Sequence, residues 1–486
     1  MKKLNRLSLF LLPIVVFFTN FPVIRLGETD SMYLEISLPE IWLILFAIVS
    51  LPNLGKLIKF FTPKKLILVA LFPLYAFGSV FWSGNPFRAV LTAGLLTLII
   101  FAALNTLYLL KDDGILRHKL LQVLIITSAV VSVFCWAQCL LDLAGVSRAD
   151  SLMCAGCSYT SFGFPHPNGF TLEPQFMGGL LIAPALLSFY LAFATKTNHK
   201  RAYFLLAGFF STTLFLTFSR GAIYSFIVAI IFLAISLSFA KKSKKPLLIF
   251  PAVLAAFMIT LTAQGTMSVI SPTSDNFISG TTKALHHLTL GHLDLRPTEE
   301  NSIENPEQSP DDETGTESGQ SEQPEQSSGP TSPSSSYNGY VSESTDVRVN
   351  FTNLALEAAT SDPKILIFGS GLGSAGTILN EKFPDKVGTR KQIVQNEYAS
   401  LLLELGLIGI GLAVVMMIAG YMRCASNACI TAVIIAYALT LFFFSGLPNA
   451  FHIYLIPPLL VGIFWDEIVH PRKHLTQPRV RRTGRK

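Results

Sequence analysis

Long apolar runs separated by short polar segments dominate the pattern of this chain. Most of the runs approach the ~20 residues that a helix needs to cross the hydrocarbon core of a bilayer. The pattern therefore predicts an all-α polytopic membrane protein with about twelve transmembrane helices. The predicted spans are residues 7–23, 34–51, 66–81, 89–110, 120–143, 172–194, 202–218, 222–240, 246–261, 398–422, 428–444 and 447–465.

Composition supports a membrane location. Of the 486 residues, 51% are hydrophobic and 14% are charged, and the mean hydropathy is +0.50. Soluble domains carry about 25% charged residues, so these values exclude an ordinary soluble protein. The net charge of +6 is explained by basic loops beside anionic lipid, and a nucleic-acid partner is not needed.

The distribution of Lys and Arg predicts the orientation of the spans. When the loops are assigned alternately to two sides, one side collects twenty-five basic residues and the short loops of the other side collect four. Cytoplasmic loops carry the excess of Lys and Arg, so both termini are expected in the cytoplasm. The basic start and apolar residues that follow lack a small-residue cleavage site, which favours a retained first span over a signal peptide.

The spans divide the chain into four parts. Residues 1–261 hold helices 1–9, residues 262–397 form one large extracytoplasmic loop, residues 398–465 hold helices 10–12, and residues 466–486 form a basic cytoplasmic tail. Within the large loop, an insertion at about residues 297–344 is rich in Glu, Ser, Pro and Gln. Such a composition cannot bury a core, so disorder is expected there.

The loop is ordered in pattern after the insertion. Residues 347–360 predict a helix, residues 364–369 ("KILIFG") a short strand, and "FGSGLGSAG" a glycine loop. The glycine spacing lacks the Lys-Ser/Thr of a P-loop, which favours a tight backbone turn over a nucleotide site. His286 and His287 lack a common zinc spacing and are expected on an amphipathic surface, so no metal site is predicted.

A polar group of residues precedes the apolar helix that starts near residue 398. Gln395, Asn396 and Glu397 stand at its outer end, and Glu404 follows seven residues after Glu397 on the same helical face. A carboxylate at membrane depth is costly unless it is paired or hydrogen-bonded. The pattern therefore predicts that both acids line a functional cavity.

Several cations share the outer side with this polar group. Arg220 lies in a very short turn between two spans, and Arg348, Arg390 and Lys391 lie in the large loop. A single arginine at the membrane surface is explained by snorkelling to lipid phosphate. Several cations near one polar opening instead suit a pyrophosphate, which arginine binds with two parallel hydrogen bonds.

Glu173 stands at the outer end of the sixth span. Thr171 is a candidate N-cap, Pro174 falls in the first turn, and the positive end of the helix stabilises the Glu173 carboxylate. Stabilisation by the helix end suffices to explain why a glutamate stands at position 173. A catalytic or sugar-binding role stays open because the side chain also faces outward.

The chain resembles the O-antigen ligase and O-antigen polymerase family of membrane glycosyltransferases. "TFSRGAIYS" resembles the Ser-Arg-Gly turn of the family, and "VRVNFTNLALEAATSDPKILIFGSGLG" resembles the helix and glycine loop of its large extracytoplasmic segment. "QNEYASLLLELGLIG" resembles the His-Asn, nine residues, Gly-x-x-Gly motif.

The resemblance implies a helical GT-C-like fold with an outer cavity, in the bacterial cytoplasmic membrane. It also implies transfer of an undecaprenyl-pyrophosphate-linked glycan to an acceptor hydroxyl, without a metal ion or cofactor. Arg220 and Arg348 match the pyrophosphate-binding arginines of the family, and Glu404 and Asn396 match its acid and asparagine.

One departure from the family affects the chemistry. Gln395 stands where ligases of the family have a histidine thought to act as the catalytic base, and a glutamine amide cannot accept the proton. Either Glu397 replaces that base or this member is not a ligase of the usual kind. Two alternatives stay open, which are a flippase or exporter of lipid-linked sugars and a catalytically inactive relative that binds glycan.

Cysteine labelling of intact cells tests the predicted topology. A cysteine at Ser327 should react with a membrane-impermeant thiol reagent and a cysteine at Lys486 should not, because the bias of twenty-five basic residues to four is large. The background chain should carry Cys154→Ser and Cys157→Ser, since both thiols are expected outside. Labelling at Lys486 in sealed cells would overturn the assignment.

Overall fold

A computed structural model describes residues 2–18, 23–30, 32–144, 166–171, 173–194, 199–270, 276–289, 337–421, 424–445 and 450–469. These residues form a helical bundle with one β-hairpin. The helices are α1 (Lys2–Val15), α2 (Leu38–Ser50), α3 (Leu54–Phe60), α4 (Pro63–Gly78), α5 (Pro86–Leu110), α6 (Gly114–Leu143), α7 (Pro174–Ala194), α8 (Lys200–Leu216), α9 (Arg220–Lys241), α10 (Ile249–Ile270), α11 (Phe277–Leu288), α12 (Tyr337–Thr360), α13 (Pro363–Phe368), α14 (Ala375–Lys382), α15 (Glu397–Tyr421), α16 (Ala428–Thr440), α17 (Phe451–Ile463) and α18 (Trp465–Val469).

Seven helical stretches within the described residues are long and apolar enough to cross a membrane. They are Leu38–Phe60, Pro86–Leu110, Gly114–Leu141, Pro174–Ala194, Arg220–Lys241, Lys245–Ile270 and Glu397–Gly420, and shorter apolar helices cover Leu66–Trp82, Ala428–Thr440 and Phe451–Ile463. The predicted helical membrane fold is confirmed in this form. The count of twelve stays a prediction, since α1 and α8 have 14 and 17 residues.

Helix α7 forms the centre of the bundle and is buried almost along its whole length. Small residues let its neighbours approach closely, as in other membrane bundles. A Cβ on Gly178 would lie 2.9 Å from Cβ of Ser219, and a Cβ on Gly179 would lie 2.8 Å from Nε2 of His452. Gly178 therefore brings the turn before α9 directly against α7.

A two-stranded hairpin, which the sequence did not predict, joins α1 and α2. Strand β1 (Val23–Thr29) pairs antiparallel with β2 (Met32–Ser37). The hairpin ends where the backbone N–H of Ser37 donates to Oε2 of Glu40 at 2.6 Å, which caps α2. The predicted spans 7–23 and 34–51 therefore included strand residues, because short apolar segments do not distinguish strand from helix.

Polar contacts at one end of the bundle tie several loops together. Arg6 pairs with Asp113, and Nη2 of Arg117 lies 2.6 Å from Oδ2 of Asp466. These arginines come from segments that the charge pattern assigns to the cytoplasm.

The segment after α12 differs from its prediction. Residues 364–368 belong to the helix α13 and Gly369 caps its end, so the predicted strand is wrong. Oδ1 of Asp362 accepts the N–H of Lys364 at 2.8 Å, and Pro363 occupies the first helical turn, which together start a helix. Helix α12 begins at Tyr337, within the stretch expected to be disordered, and residues 297–336 lie outside the described part.

A break in α15 anchors the glycine loop. Gly406 has φ of +64°, which interrupts the helix and leaves preceding carbonyls without helical partners. The N–H of Ser370 donates to the carbonyl of Leu403 at 2.9 Å, and the N–H of Gly371 donates to that of Glu404 at 2.8 Å. The glycine loop therefore supplies the hydrogen bonds that the break removes, and its predicted role as a packed backbone turn agrees with this geometry.

Replacing Gly406 with alanine should lower the stability of the purified protein. The substitution places a side chain at positive φ and sets a Cβ 2.5 Å from the carbonyl oxygen of Ile367, so we expect a loss of about 2 kcal/mol or more. The thermal unfolding midpoint in detergent measures it. Gly411→Ala is the matched control in the same helix, because its Cβ would meet nothing within 4 Å. Equal midpoints for the two variants would contradict the account.

Candidate functional site

Glu397 begins α15 with its carboxylate buried, at 3% exposure. The hydroxyl of Ser445 donates to Oε2 at 2.7 Å, and the hydroxyl of Tyr454 lies 3.4 Å from Oε1. The backbone N–H of Glu397 donates to the carbonyl of Leu441 at 2.9 Å. Residues after α16 and on α17 therefore fix the orientation of this carboxylate.

The segment 441–445, which follows α16, also touches the turn before α9. A Cβ on Gly221, in the first turn of α9, would lie 2.6 Å from Cβ of Phe443. The neighbouring Phe444 packs on α7, where its ring centroid is 5.4 Å from that of Phe176. Gly221 directly follows Arg220. The same five residues thus contact Glu397 and also residues 217–221, which we call the Arg220 turn.

Helix α11 fixes the Arg220 turn. Phe218 has φ of +49°, a left-handed conformation that non-glycine residues adopt only when the surroundings hold it. Nε2 of His287 lies 3.3 Å from the Phe218 carbonyl, and because a carbonyl only accepts, the imidazole donates this hydrogen bond. The hydroxyl of Tyr224 donates to the carbonyl of Leu288. These two bonds join α11 to both sides of Arg220.

Two arginines influence the titration of the groups around this turn. The pKa of His287 is lowered to about 3, chiefly by burial and then by Arg220, with a smaller effect of Arg348. Burial raises the pKa of Glu173, and nearby Arg348 opposes that shift. The structure therefore brings Arg220 and Arg348 near His287, and Glu173 near Arg348. The prediction that His287 lies on the surface is wrong, because it is 8% exposed.

A cavity of about 710 Å³ lies on the other side of Glu397. Both predicted acids, Glu397 and Glu404, line it. The remaining lining residues come from the hairpin, α2, α4, α5, the glycine loop, the start of α14, the segment before α15, α15 itself and residue 445. They are Leu26, Glu35, Ile36, Ser37, Glu40, Ile44, Phe77, Arg88, Val90, Leu91, Thr92, Gly94, Leu95, Leu98, Leu372, Gly373, Ala375, Lys391, Gln392, Ile393, Val394, Ser400, Leu401 and Ser445.

Glu404 attaches the glycine loop to α15 as well as lining the cavity. Its Oε1 accepts the backbone N–H of Ala375 at 3.1 Å, at the start of α14. The stem of Arg88 packs against the same loop, since a Cβ on Gly373 would lie 2.9 Å from its Cγ. A buried carboxylate is tolerated here because backbone N–H donors satisfy it.

The other predicted site residues have separate positions. Oδ1 of Asn396 accepts the N–H of Ala399 at 3.1 Å, so Asn396 caps α15. Oε1 of Gln395 is buried, and no donor reaches it from the described residues. Arg390 lies at the surface, where its Nη2 is 3.8 Å from Oε1 of Glu381, and it does not line the cavity.

Four residues at the site were not singled out from the sequence. Ser445 and Tyr454 hold Glu397, and their spacing from it of 48 and 57 residues gives no local signal. His287 was visible as one of a histidine pair but lacked a metal-binding pattern. Arg88 counted only as one of four basic residues in the outer short loops.

Comparison with protein families gives a match, which covers the middle of the chain. Residues 202–414 match the family model described as O-antigen ligase. The matched segment runs from α8 into α15, and it contains Arg220, Arg348, Gln395, Glu397 and Glu404. The match agrees with the resemblance seen in the sequence, and over this segment the chain is similar to O-antigen ligases. It supports, in general terms, a role in glycan transfer at a membrane. A comparison with curated proteins gave no match.

Substituting His287 tests whether α11 positions Arg220. His287→Phe removes the donor to Phe218 but keeps a planar ring. If Arg220 holds a lipid pyrophosphate, binding of undecaprenyl diphosphate should weaken about tenfold in this variant, as for loss of a buried hydrogen bond. His287→Gln keeps an N–H donor and should retain most of the affinity. Equal binding by His287→Phe and the wild type would contradict the role of α11 in positioning Arg220.

The pH dependence of stability provides a second readout for His287. An unfolded histidine takes up a proton near pH 6.5, whereas folded His287 does so only near its pKa of about 3. Its contribution to stability is therefore present above about pH 6.5 and is lost as the pH falls toward 3. The stability of the wild type should fall relative to His287→Gln across this range.

Proposed function

We propose that this protein transfers a glycan from an undecaprenyl-pyrophosphate donor to an acceptor hydroxyl, without a metal ion, on the outer face of the bacterial cytoplasmic membrane. One observation carries the proposal. Glu397 lines the cavity, and the segment 441–445 that binds its carboxylate also packs against Gly221, next to Arg220. A base and a cationic group thus lie on opposite sides of one short segment.

Arg220 and Arg348 would hold the pyrophosphate of the donor. Guanidinium groups match phosphate oxygens with paired hydrogen bonds, and an ammonium does not. Glu173 lies close enough to Arg348 to interact with its charge and would keep that side chain in place. Arg390, which is half exposed, would contact only glycan that extends from the site.

The reaction requires one proton transfer and one substitution at carbon. The acceptor oxygen forms a bond to the anomeric carbon while its proton passes to Glu397. The bond from that carbon to the pyrophosphate breaks, and the leaving group keeps the electron pair. Arginines placed where this charge develops lower the barrier without a metal.

The polar residues beside Glu397 would orient the acceptor. Ser445 and Tyr454 bind the carboxylate and restrict its rotation, which holds the base in one geometry. The buried Oε1 of Gln395 would accept a hydrogen bond from a sugar hydroxyl, in place of the proton transfer made by the histidine of the family. Asn396 supports both neighbours by capping the helix.

Glu397→Gln should lower turnover by ~10²-fold or more while donor binding persists, in line with typical general-base contributions. Transfer of a fluorescent oligosaccharide from undecaprenyl pyrophosphate, with protein in vesicles, measures the rate. Glu357→Gln is the matched control, because Glu357 is exposed on α12 and does not line the cavity. Arg220→Ala should instead remove donor binding.

Two results would contradict this assignment. Unchanged transfer in Glu397→Gln would exclude Glu397 as the base. Movement of the lipid-linked glycan across the vesicle membrane without a new glycosidic bond would favour the flippase alternative. Donor binding without either activity would favour the inactive relative.

A further inference from the structure

The short helix α13 leaves two large apolar side chains uncovered. Ile367 and Phe368, at its end, are 43% and 45% exposed within the described part of the chain. Further exposed apolar side chains stand nearby on two spans, which are Leu74 of α4 and Leu407 of α15. What surrounds α13 in the native protein therefore depends on how deep it lies relative to the bilayer.

Two contacts fix the position of α13 along these spans. The hydroxyl of Tyr75, on α4, lies 2.8 Å from the carbonyl oxygen of Phe368 and 3.2 Å from that of Leu405. The carbonyl of Ile367 approaches the break in α15 so closely that a Cβ on Gly406 would lie 2.5 Å from its oxygen. The end of α13 therefore lies at the level of Tyr75 on α4 and of Gly406 on α15.

The helical rise gives the depth of this level. Helix α4 has Lys64 in its first turn, and Tyr75 stands eleven residues later. Helix α15 ends at Tyr421, fifteen residues after Gly406. At 1.5 Å per residue these lengths are about 16 Å and 22 Å. Both are shorter than the ~30 Å of a hydrocarbon core, and tilt of a helix only shortens the distance that it crosses.

The other end of α4 agrees with this depth. The apolar helical stretch Leu66–Trp82 continues for seven residues beyond Tyr75 and ends in a tryptophan. Tryptophan is enriched where the hydrocarbon meets water. With Trp82 at that boundary, Tyr75 and the end of α13 lie about 10 Å inside it. Helix α13 thus lies at the depth of the hydrocarbon, although the sequence assigns it to a loop between two spans.

Backbone at this depth must find its hydrogen bonds within the protein, because hydrocarbon offers none. The irregular chain after α13 meets this requirement. The N–H of Gly369 donates back into α13 at 2.7 Å, and the N–H of Leu372 donates to the hydroxyl of Ser79 at 3.0 Å. Between them, the N–H groups of Ser370 and Gly371 bind carbonyls at the break in α15. Four consecutive N–H groups outside a helix therefore have protein acceptors.

We propose that α13 and the glycine loop form a re-entrant segment inside the leaflet nearer Glu397, and that Ile367 and Phe368 contact the acyl chains of bilayer lipid. The exposed Lys364, one turn before Phe368, extends its ammonium toward the lipid phosphates. The segment sets the height of the candidate site, because Glu397 stands nine residues before Gly406 and so about 13 Å nearer the surface. The contact with lipid is independent of any transfer activity.

Photolabelling of the wild-type protein tests this contact. The protein is placed in nanodiscs at one copy per disc, so that lipid and water are the only neighbours available to α13. The lipid is phosphatidylcholine, a fraction of which carries a diazirine within an acyl chain. We expect lipid adducts on residues 363–368 and around the exposed Leu254 of span α10, but none around the exposed Glu357 of α12. Adducts around Leu254 with none on α13 would overturn the proposal.

Spin labels measure the depth directly at one position. Phe368→Cys, Glu357→Cys and Leu254→Cys are each made with Cys154→Ser and Cys157→Ser and labelled with a nitroxide in vesicles. The ratio of collisions with oxygen to collisions with a polar nickel complex should be about tenfold or more higher at position 368 than at position 357, because hydrocarbon excludes polar solutes. Position 254 gives the value for a lipid-facing span. Equal ratios at positions 368 and 357 would place α13 in water and overturn the proposal.

Discussion

Hydrogen bonds exchanged at Gly406 are the constraint on which the rest of the site depends. The left-handed glycine interrupts α15, and N–H groups of the glycine loop bind the carbonyls that the interruption leaves. An unsatisfied backbone group in an apolar surrounding costs several kcal/mol, so this exchange fixes the loop strongly. The loop then positions Arg88 through its packing on Gly373, and it satisfies Glu404 through Ala375.

The candidate site has two halves that meet at the segment 441–445. One half contains the Arg220 turn, held in a left-handed conformation at Phe218 by α11. The other half is the cavity under the hairpin, with Glu397 in its wall. This separation matches a group transfer in which the leaving group and the attacking group approach from different directions. Central helix α7 supports the arrangement, because its glycines allow the close approach of the turn.

Much of the fold follows from local patterns in the sequence. Apolar runs located the helices, and the glycine-rich stretch predicted a packed turn. The hairpin and α13 were missed, because short apolar segments have too few residues for a period of two or 3.6 to be recognised. The seven-residue spacing of Glu397 and Glu404 predicted that they share one face of the helix. Both residues line the cavity, in agreement with this prediction. Ser445, Tyr454 and His287 reach the site through tertiary contacts, for which one sequence contains no signal.

The short connection after α16 has a thermodynamic consequence. Phe443 packs against Gly221, and Ser445, two residues later, binds Glu397. Any ligand that shifts this connection at one end changes the free energy of the other end, and such coupling between two sites is reciprocal. A ligand that moved this connection beside Gly221 would therefore alter the orientation of the Glu397 carboxylate, and a ligand that moved it from the cavity would alter binding beside Gly221 by the same factor. A polypeptide link of this length would make the orientation of the Glu397 carboxylate depend on the packing around Gly221, and the packing around Gly221 depend on that orientation.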